Sequence, residues 1–221
     1  LCSPANPQGT VADLNYLKRA IALAREYDFV LAIDECYSEI YYKEPPPGGL
    51  EAAHSIGDGL HNLLVFHSLS KRSNAPGIRS GFVAGDPQLV RAYRTLRNYG
   101  GAAVPLPLLA AAAALWRDEK HVEENRALYR TKFNRADQIL IGRYSYYRPN
   151  GGFYLWLDVK DGEAAARKLW AEGGIRVIPG AYLARPDAEG KNPGEQFIRI
   201  ALVQEPDFLS DALTRLIDIL G

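Results

Sequence analysis

No methionine occurs among the 221 residues, and there are only two cysteines, Cys2 and Cys36. They form no CxxC pair, which leaves no dithiol redox motif or thiolate zinc ribbon, and a chain of this length needs no disulfide framework to hold a core. A reducing, cytoplasmic setting is the expectation. An excess of either charge is missing too. The 26 basic residues balance the 26 acidic ones, so nothing in the overall charge draws the protein to nucleic acid or to an anionic membrane. Small molecules are the expected partners. The most apolar stretch, 105–116, is too short and too rich in alanine to span a bilayer, and nothing at the start reads as a signal peptide. His54, His61, His67 and His121 lack metal-ligand spacing and are read as surface or packing residues. Asn150-Gly151-Gly152 and Glu172-Gly173-Gly174 match no phosphate-loop pattern, and no Ser-His-Asp set stands out. The chain opens at Leu1 directly in the polar turn Ser3-Pro4-Ala5-Asn6-Pro7-Gln8-Gly9, so it is read as a piece of a longer polypeptide.

What is present is an alternation of short apolar runs with amphipathic stretches. Leu14, Leu17, Ile21 and Ala24 recur at helical spacing and predict a helix over residues 11–27, capped from Thr10. Residues 29–33 are continuously apolar and end in Asp34, the pattern of a strand buried on both faces of a parallel sheet. Residues 63–66 repeat it. Between them, the Pro45-Pro46-Pro47-Gly48-Gly49 run predicts a surface excursion over 43–59. Residues 81–84 read as a further strand, and Asp86-Pro87 opens a helix whose expected buried stripe is Leu89, Tyr93 and Leu96. Residues 107–140 are helical almost throughout, with a break near Asp118. Strands over 153–159, 175–178 and 197–202 then alternate with helices over 163–172 and 208–220. The fold class is α/β, with a mostly parallel sheet in residues 1–116 and a smaller α+β domain in 117–221.

The chemistry gathers at the ends of the apolar runs. Asp34, at the carboxyl end of a strand, suits a ring nitrogen, since an opposite charge at low dielectric favours both ionised forms. Tyr37 could send its phenol to a ring hydroxyl. Lys71 follows the second run in His67-Ser68-Leu69-Ser70-Lys71-Arg72 and offers an amine that can capture an aldehyde; positive charge from Arg72 and Arg79 favours its neutral form. Ser68, or Ser70 in its place, and the planar fork of Arg79 suit a phosphate. Asn6, held extended by Pro7, could donate to a phenolic oxygen or to a carboxylate. Arg199, flanked by apolar residues in Phe197-Ile198-Arg199-Ile200-Ala201-Leu202, needs a partner, either an internal carboxylate or a substrate one. Taken singly, each residue also has an ordinary reading: a loop cap, a half-buried tyrosine, a solvated lysine, a turn asparagine. Taken together they describe a pocket for pyridoxal phosphate.

Asn6-Pro7-Gln8-Gly9, Asp34-Glu35-Cys36-Tyr37, Ser68-Leu69-Ser70-Lys71 with Arg79, and Phe197-Ile198-Arg199 fall in the order found in the class I/II aminotransferases, the fold type I pyridoxal phosphate enzymes, which the chain resembles. The resemblance implies that Lys71 joins covalently to the cofactor and shuttles a proton. It implies that Asp34 pairs with the ring nitrogen, Tyr37 and Asn6 bind the ring oxygen, Ser68 and Arg79 hold the phosphate, and Arg199 with Asn6 binds the substrate α-carboxylate. The stretch 68–86 is most similar to succinyldiaminopimelate aminotransferases. That implies amino transfer between N-succinyl-LL-2,6-diaminopimelate and 2-oxoglutarate in lysine synthesis. Another aminotransferase, a C–S β-lyase of the same fold, or a non-catalytic fragment are the alternatives. A homodimer is implied as well. Members of the family carry further residues ahead of the Asn-Pro turn, including a glycine-containing phosphate loop and an aromatic that stacks on the ring, so the chain alone is expected to be inactive.

Overall fold

The computed structural model describes residues 1–101 and 103–221 and divides the chain into two units. The first comprises Leu1–Ala5, Thr10–Arg126 and Asn150–Gly152; the second comprises Asn6–Gly9, Ala127–Pro149 and Phe153–Gly221.

In the first unit, α1 (Leu14–Glu26) is capped by Asp13, whose Oδ1 accepts from the Tyr16 N–H at 2.7 Å, and not by Thr10. Leu17, Ile21 and Ala24 form its buried stripe, as their spacing predicts. β1 (Leu31–Asp34) is shorter at its start than the apolar run, because ladder pairing with β2 (Leu63–Ser68) begins only at Leu31 opposite Leu63. Phe29 and Val30 are left exposed. The two strands are parallel, with Asp34 in register with Phe66.

The stretch 43–59 departs from expectation. Its second half is a packed helix, α2 (Gly49–Ile56), in which Ala52 and Ala53 are fully buried with Leu17, Ile21, Ile33, Leu63 and Val65. The proline-glycine run is the approach to this helix, and Glu51 accepts from the Gly48 N–H at 3.3 Å at its start. A Cβ at Gly49 would lie 2.7 Å from the Ile33 side chain, so glycine lets the helix close on β1. After β2 come one helical turn, α3 (Leu69–Arg72), and β3 (Gly81–Gly85), which pairs antiparallel with β2. The first sheet is therefore mixed, in the order β1-β2-β3. A Cβ at Gly81 would come within 2.3 Å of the His67 carbonyl oxygen, and only glycine permits that approach.

Helix α4 (Pro87–Gly100) starts at Asp86 as expected, but none of its residues is buried. Its apolar stripe rests on little of the first unit: Tyr93 meets Phe66 edge-on with centroids 6.2 Å apart, and Leu96 stays 65% exposed. Helix α5 (Leu106–Arg117) is followed by a break at Asp118, where the sequence places one. There Asp118 Oδ1 accepts from the N–H of Lys120, which begins α6 (Lys120–Leu140).

The second unit takes up α6 from Ala127 and adds β4 (Tyr154–Asp158), α7 (Gly162–Gly173), β5 (Ile178–Pro179), β6 (Phe197–Ala201) and α8 (Pro206–Leu220). Its sheet is antiparallel in the order β4-β6-β5. Leu155, Leu157, Ile198 and Ile200 alternate onto one face and are buried, as are Leu169 of α7 and Leu209, Leu213 and Leu216 of α8. Tyr154, Trp156 and Arg199 therefore share the opposite face. The strand expected over 175–178 is reduced to Ile178 and Pro179, because Ile175 is used to close α7: its N–H donates to the Leu169 carbonyl at 3.1 Å, with Gly174 left-handed.

Asp86 ties the turn ahead of β2 to the start of α4. Its carboxylate accepts from Asn62 N at 3.0 Å and from Gln88 N at 2.8 Å. The Asn62 N–H, ahead of the other donors and of His61, holds its carboxyl below the ordinary value of 3.8 despite burial. A depressed carboxyl stabilises the fold above its unfolded pKa and loses that contribution as pH falls through the folded one. Asp86→Ala is expected to lower unfolding free energy by about 1–2 kcal/mol at neutral pH, and the deficit should narrow once pH drops below 3.8. Urea denaturation across that range measures both effects.

Candidate active site

Parallel pairing brings the carboxyl ends of β1 and β2 side by side, and the first unit has a cavity of about 480 Å³ there. Asp34, Cys36, Phe66, Ser68, Lys71 and Arg79 are among its lining residues. Asp34 is the last residue of β1, and its Oδ1 accepts from the Cys36 N–H at 3.0 Å, which turns the chain away from the sheet. Ser68 ends β2 and caps α3: its Oγ accepts from the Ser70 N–H at 3.1 Å and donates to Ser70 Oγ at 2.9 Å. Lys71 lies on the one-turn helix that this cap starts, and its carbonyl accepts from Asn125 Nδ2 at 3.4 Å. Arg79 is left-handed at φ +57° between a 3-10 turn and β3, and donates through Nη1 to the Pro76 carbonyl at 3.0 Å. A non-glycine residue in this conformation carries strain of about 1–3 kcal/mol.

Two cations, two hydroxyls and a carboxylate thus line one cavity whose volume falls in the range of ligand sites. A dianionic phosphate suits the serine and arginine donors, and a protonated ring nitrogen suits Asp34. The donor set fits pyridoxal phosphate. Tyr37 is buried and is not among the cavity's lining residues. Asn6 and Arg199 belong to the second unit, where Arg199 Nη1 donates to Asn6 Oδ1 at 2.9 Å. The Asn6–Pro7 peptide bond is cis. Arg199 is thus held by an amide oxygen; its buried Nε has no hydrogen-bond partner among the described residues.

Three features escaped the sequence reading. Arg72, expected to lend its charge to Lys71, turns the other way: it is buried against Trp116, donates to the Leu115 carbonyl and is ion-paired with Glu119. His67 is more than a packing residue. Its Nε2 is 3.0 Å from Glu35 Oε2, its ring stacks on Phe82 at 4.9 Å, and it touches the cavity. Glu35, buried, also accepts from the Gly49 N–H at 2.6 Å. No sequence signal links residues 35 and 67; the strand register does. Cys36, read from the sequence only as belonging to no CxxC pair, lies in the cavity wall with Asp34. Burial, and after it the charge and hydrogen bonding of Asp34, push its thiol well above the ordinary range.

Such a thiol stays protonated and reacts slowly. Iodoacetamide at pH 8 is expected to alkylate Cys36 at least about tenfold more slowly in the folded protein than in urea. Peptide mass spectrometry reads the two rates, and equal rates would remove the half-buried thiol bonded to Asp34.

An amine, a carboxylate and a phosphate-type donor set at the carboxyl ends of strands define a cofactor-binding α/β protein. The profile of aminotransferase class I and II matches residues 1–216, and the chain belongs to that family, whose members use pyridoxal phosphate. It is 36% identical over 218 residues to the 4-dedimethylamino-4-oxo-anhydrotetracycline transaminase OxyQ of Streptomyces rimosus, covering 98% of this chain and 58% of that protein. It is 32% identical to the LL-diaminopimelate aminotransferase of Aquifex aeolicus, over 96% of this chain and 54% of that protein. Among solved structures, an aminotransferase from Neisseria meningitidis superposes with a TM-score of 0.94 at 45% identity, covering 100% of this chain and 57% of the other. The chain thus spans somewhat over half the length of these relatives. The fold is that of the fold type I aminotransferases.

Proposed function

We propose that the whole protein is a pyridoxal phosphate-dependent aminotransferase in which Lys71 is the amine that carries the cofactor. The observation that supports this most is the sharing of one cavity by Asp34, Ser68, Lys71 and Arg79. When bound, the cofactor supplies an aldehyde and an electron-accepting ring. The rest is done by the side chains. The Lys71 amine would hold the cofactor through its aldehyde and, once the substrate amine takes its place there, would move a proton to and from the substrate α-carbon. The Asp34 carboxylate would keep a proton on the ring nitrogen, Ser68 and Arg79 would bind phosphate oxygens, and the Tyr37 phenol would donate to the ring oxygen. Asn6 serves the ring oxygen or the substrate carboxylate, and Arg199 the carboxylate.

For the substrate we propose N-succinyl-LL-2,6-diaminopimelate as amino donor and 2-oxoglutarate as acceptor. This is supported by the resemblance over residues 68–86, by the 27% identity to a probable N-succinyldiaminopimelate aminotransferase of Thermus thermophilus at a TM-score of 0.84, and by the LL-diaminopimelate aminotransferases among the relatives. Cytoplasmic location and a homodimer belong to the same proposal. No described helix is long and apolar enough to cross a membrane.

Borohydride reduction of the whole protein with pyridoxal phosphate is expected to leave a pyridoxyl group on Lys71. Lys71→Ala should remove that label and lower turnover by about 100- to 10,000-fold, the range of a lost proton-transfer group. Supplied with the succinylated donor and 2-oxoglutarate, the protein should make glutamate. Pyruvate and ammonia released from a cysteine S-conjugate, whose thiolate can leave, with no glutamate formed from the succinylated donor, would make it a lyase of the same fold, and a label on any other lysine would displace Lys71 from its role.

A further inference from the structure

Arg199 is not aimed by its hydrogen bond alone. In the ladder it lies directly opposite Trp156, yet its guanidinium sits over the neighbouring ring, that of Tyr154, with Cζ 4.4 Å from the centroid. Trp156 is already engaged, stacked on Phe197 at 4.8 Å with an interplanar angle of 15°. Tyr154 stands two residues along β4 on the same face, a diagonal neighbour within reach of a long side chain. It is 7% exposed and packs against Phe153, whose centroid is 4.4 Å away, so burial and packing restrict its ring. The face of the guanidinium is thus covered by a fixed aromatic, and Nη1 is tied to Asn6 at 2.9 Å. Two constraints of different kinds, an aromatic ring beneath the guanidinium and a hydrogen bond from Nη1, limit where the planar donor set can turn.

We propose that Tyr154 is a positioning residue that orients Arg199 for a substrate carboxylate, the aromatic face and not the phenol being what matters. The inference rests on the carboxylate role given to Arg199 above. A guanidinium stacked on an aromatic face keeps its in-plane N–H groups available for a bidentate carboxylate, and the ring excludes water from the face that a second anion could otherwise approach. Selectivity for a planar carboxylate follows from the same geometry.

The test uses the whole protein loaded with pyridoxal phosphate. It compares Tyr154→Phe, Tyr154→Leu and Arg199→Lys by KM, by kcat, and by the dissociation constant of glutarate, which has a carboxylate but no amine to react. Tyr154→Leu is expected to raise KM and the glutarate constant between about 2-fold and 30-fold, the span of a cation–π contact from exposed to desolvated. kcat and the absorbance of the bound cofactor should stay unchanged. Tyr154→Phe, which keeps the face, should match the unaltered protein and guards against a role for the hydroxyl. If Arg199→Lys weakens both constants and Tyr154→Leu does not, the positioning role is overturned while the carboxylate reading stands. If Arg199→Lys changes neither, that reading fails and the inference with it. A Tyr154→Leu protein that loses kcat or cofactor absorbance in the same proportion overturns the inference in favour of a general packing role.

Discussion

The parallel pairing of β1 with β2 is the constraint on which the first unit depends. Because Asp34 is in register with Phe66, the two strands finish near one level, and the chain leaves the sheet at the same edge after each of them. Asp34 comes from one strand end; Ser68 and Lys71 come from the other. Backbone hydrogen bonds of the ladder, not the side chains themselves, set the distance between carboxylate and amine. A slip of one residue would turn every side chain of β1 to the other face and take Asp34 out of the cavity. Register is in turn secured by burial: Ile33 and Val65 point into the cluster formed with α1 and α2.

The residues behind the cavity support the same alignment. Asp34 is open to solvent while Glu35 turns inward, accepting from the Gly49 N–H and meeting His67. The polar pair therefore ties the end of β1 to the end of β2 and to the start of α2. A buried carboxylate without partners costs several kcal/mol, and an amide N–H and an imidazole beside it offset part of that cost. The Glu35 backbone N–H adds a further link, donating to the Phe66 carbonyl at 2.9 Å. Strand ends, which fray when unsupported, are here tied by main chain and side chain alike.

Much of this could be read in the sequence because the chemistry sits where apolar runs stop. Continuous apolar residues followed by Asp34, and again by Ser68 and Lys71, mark strand ends whatever the fold, and the phosphate-type donors follow within a few residues. The helical break at Asp118 and the cap at Asp86 were legible for the same local reason: short polar side chains bond to their own following N–H groups. The illegible part depends on partners distant in the chain. The prolines and glycines of 45–49 describe the approach to α2 but not the burial of Ala52 and Ala53, which is decided by α1 and the sheet. The stripe of α4 has the right period and lies uncovered, since periodicity states what a helix could bury and not what is there to cover it. Arg72 reads as a neighbour of Lys71 in sequence, but one helical turn directs it to Trp116 and Glu119.

The two units hold their charged groups by different means. In the first, cations meet hydroxyls and a carboxylate at strand ends, where loop backbone is free to approach a ligand and where the left-handed Arg79 is tolerated. In the second, Arg199 stands in the middle of β6, its backbone committed to the ladders with β4 and β5, so the only freedom left is in its side chain. A strand residue gains precision from that: its Cα cannot move without the sheet, and the ring of Tyr154 and the amide of Asn6 remove most of what remains. The arrangement suits a group that must read the shape of a carboxylate, whereas the loop-borne groups of the first unit suit one that must form and release a covalent bond. A strand offers rigidity and a turn offers adaptability, and the backbone permits each where it stands.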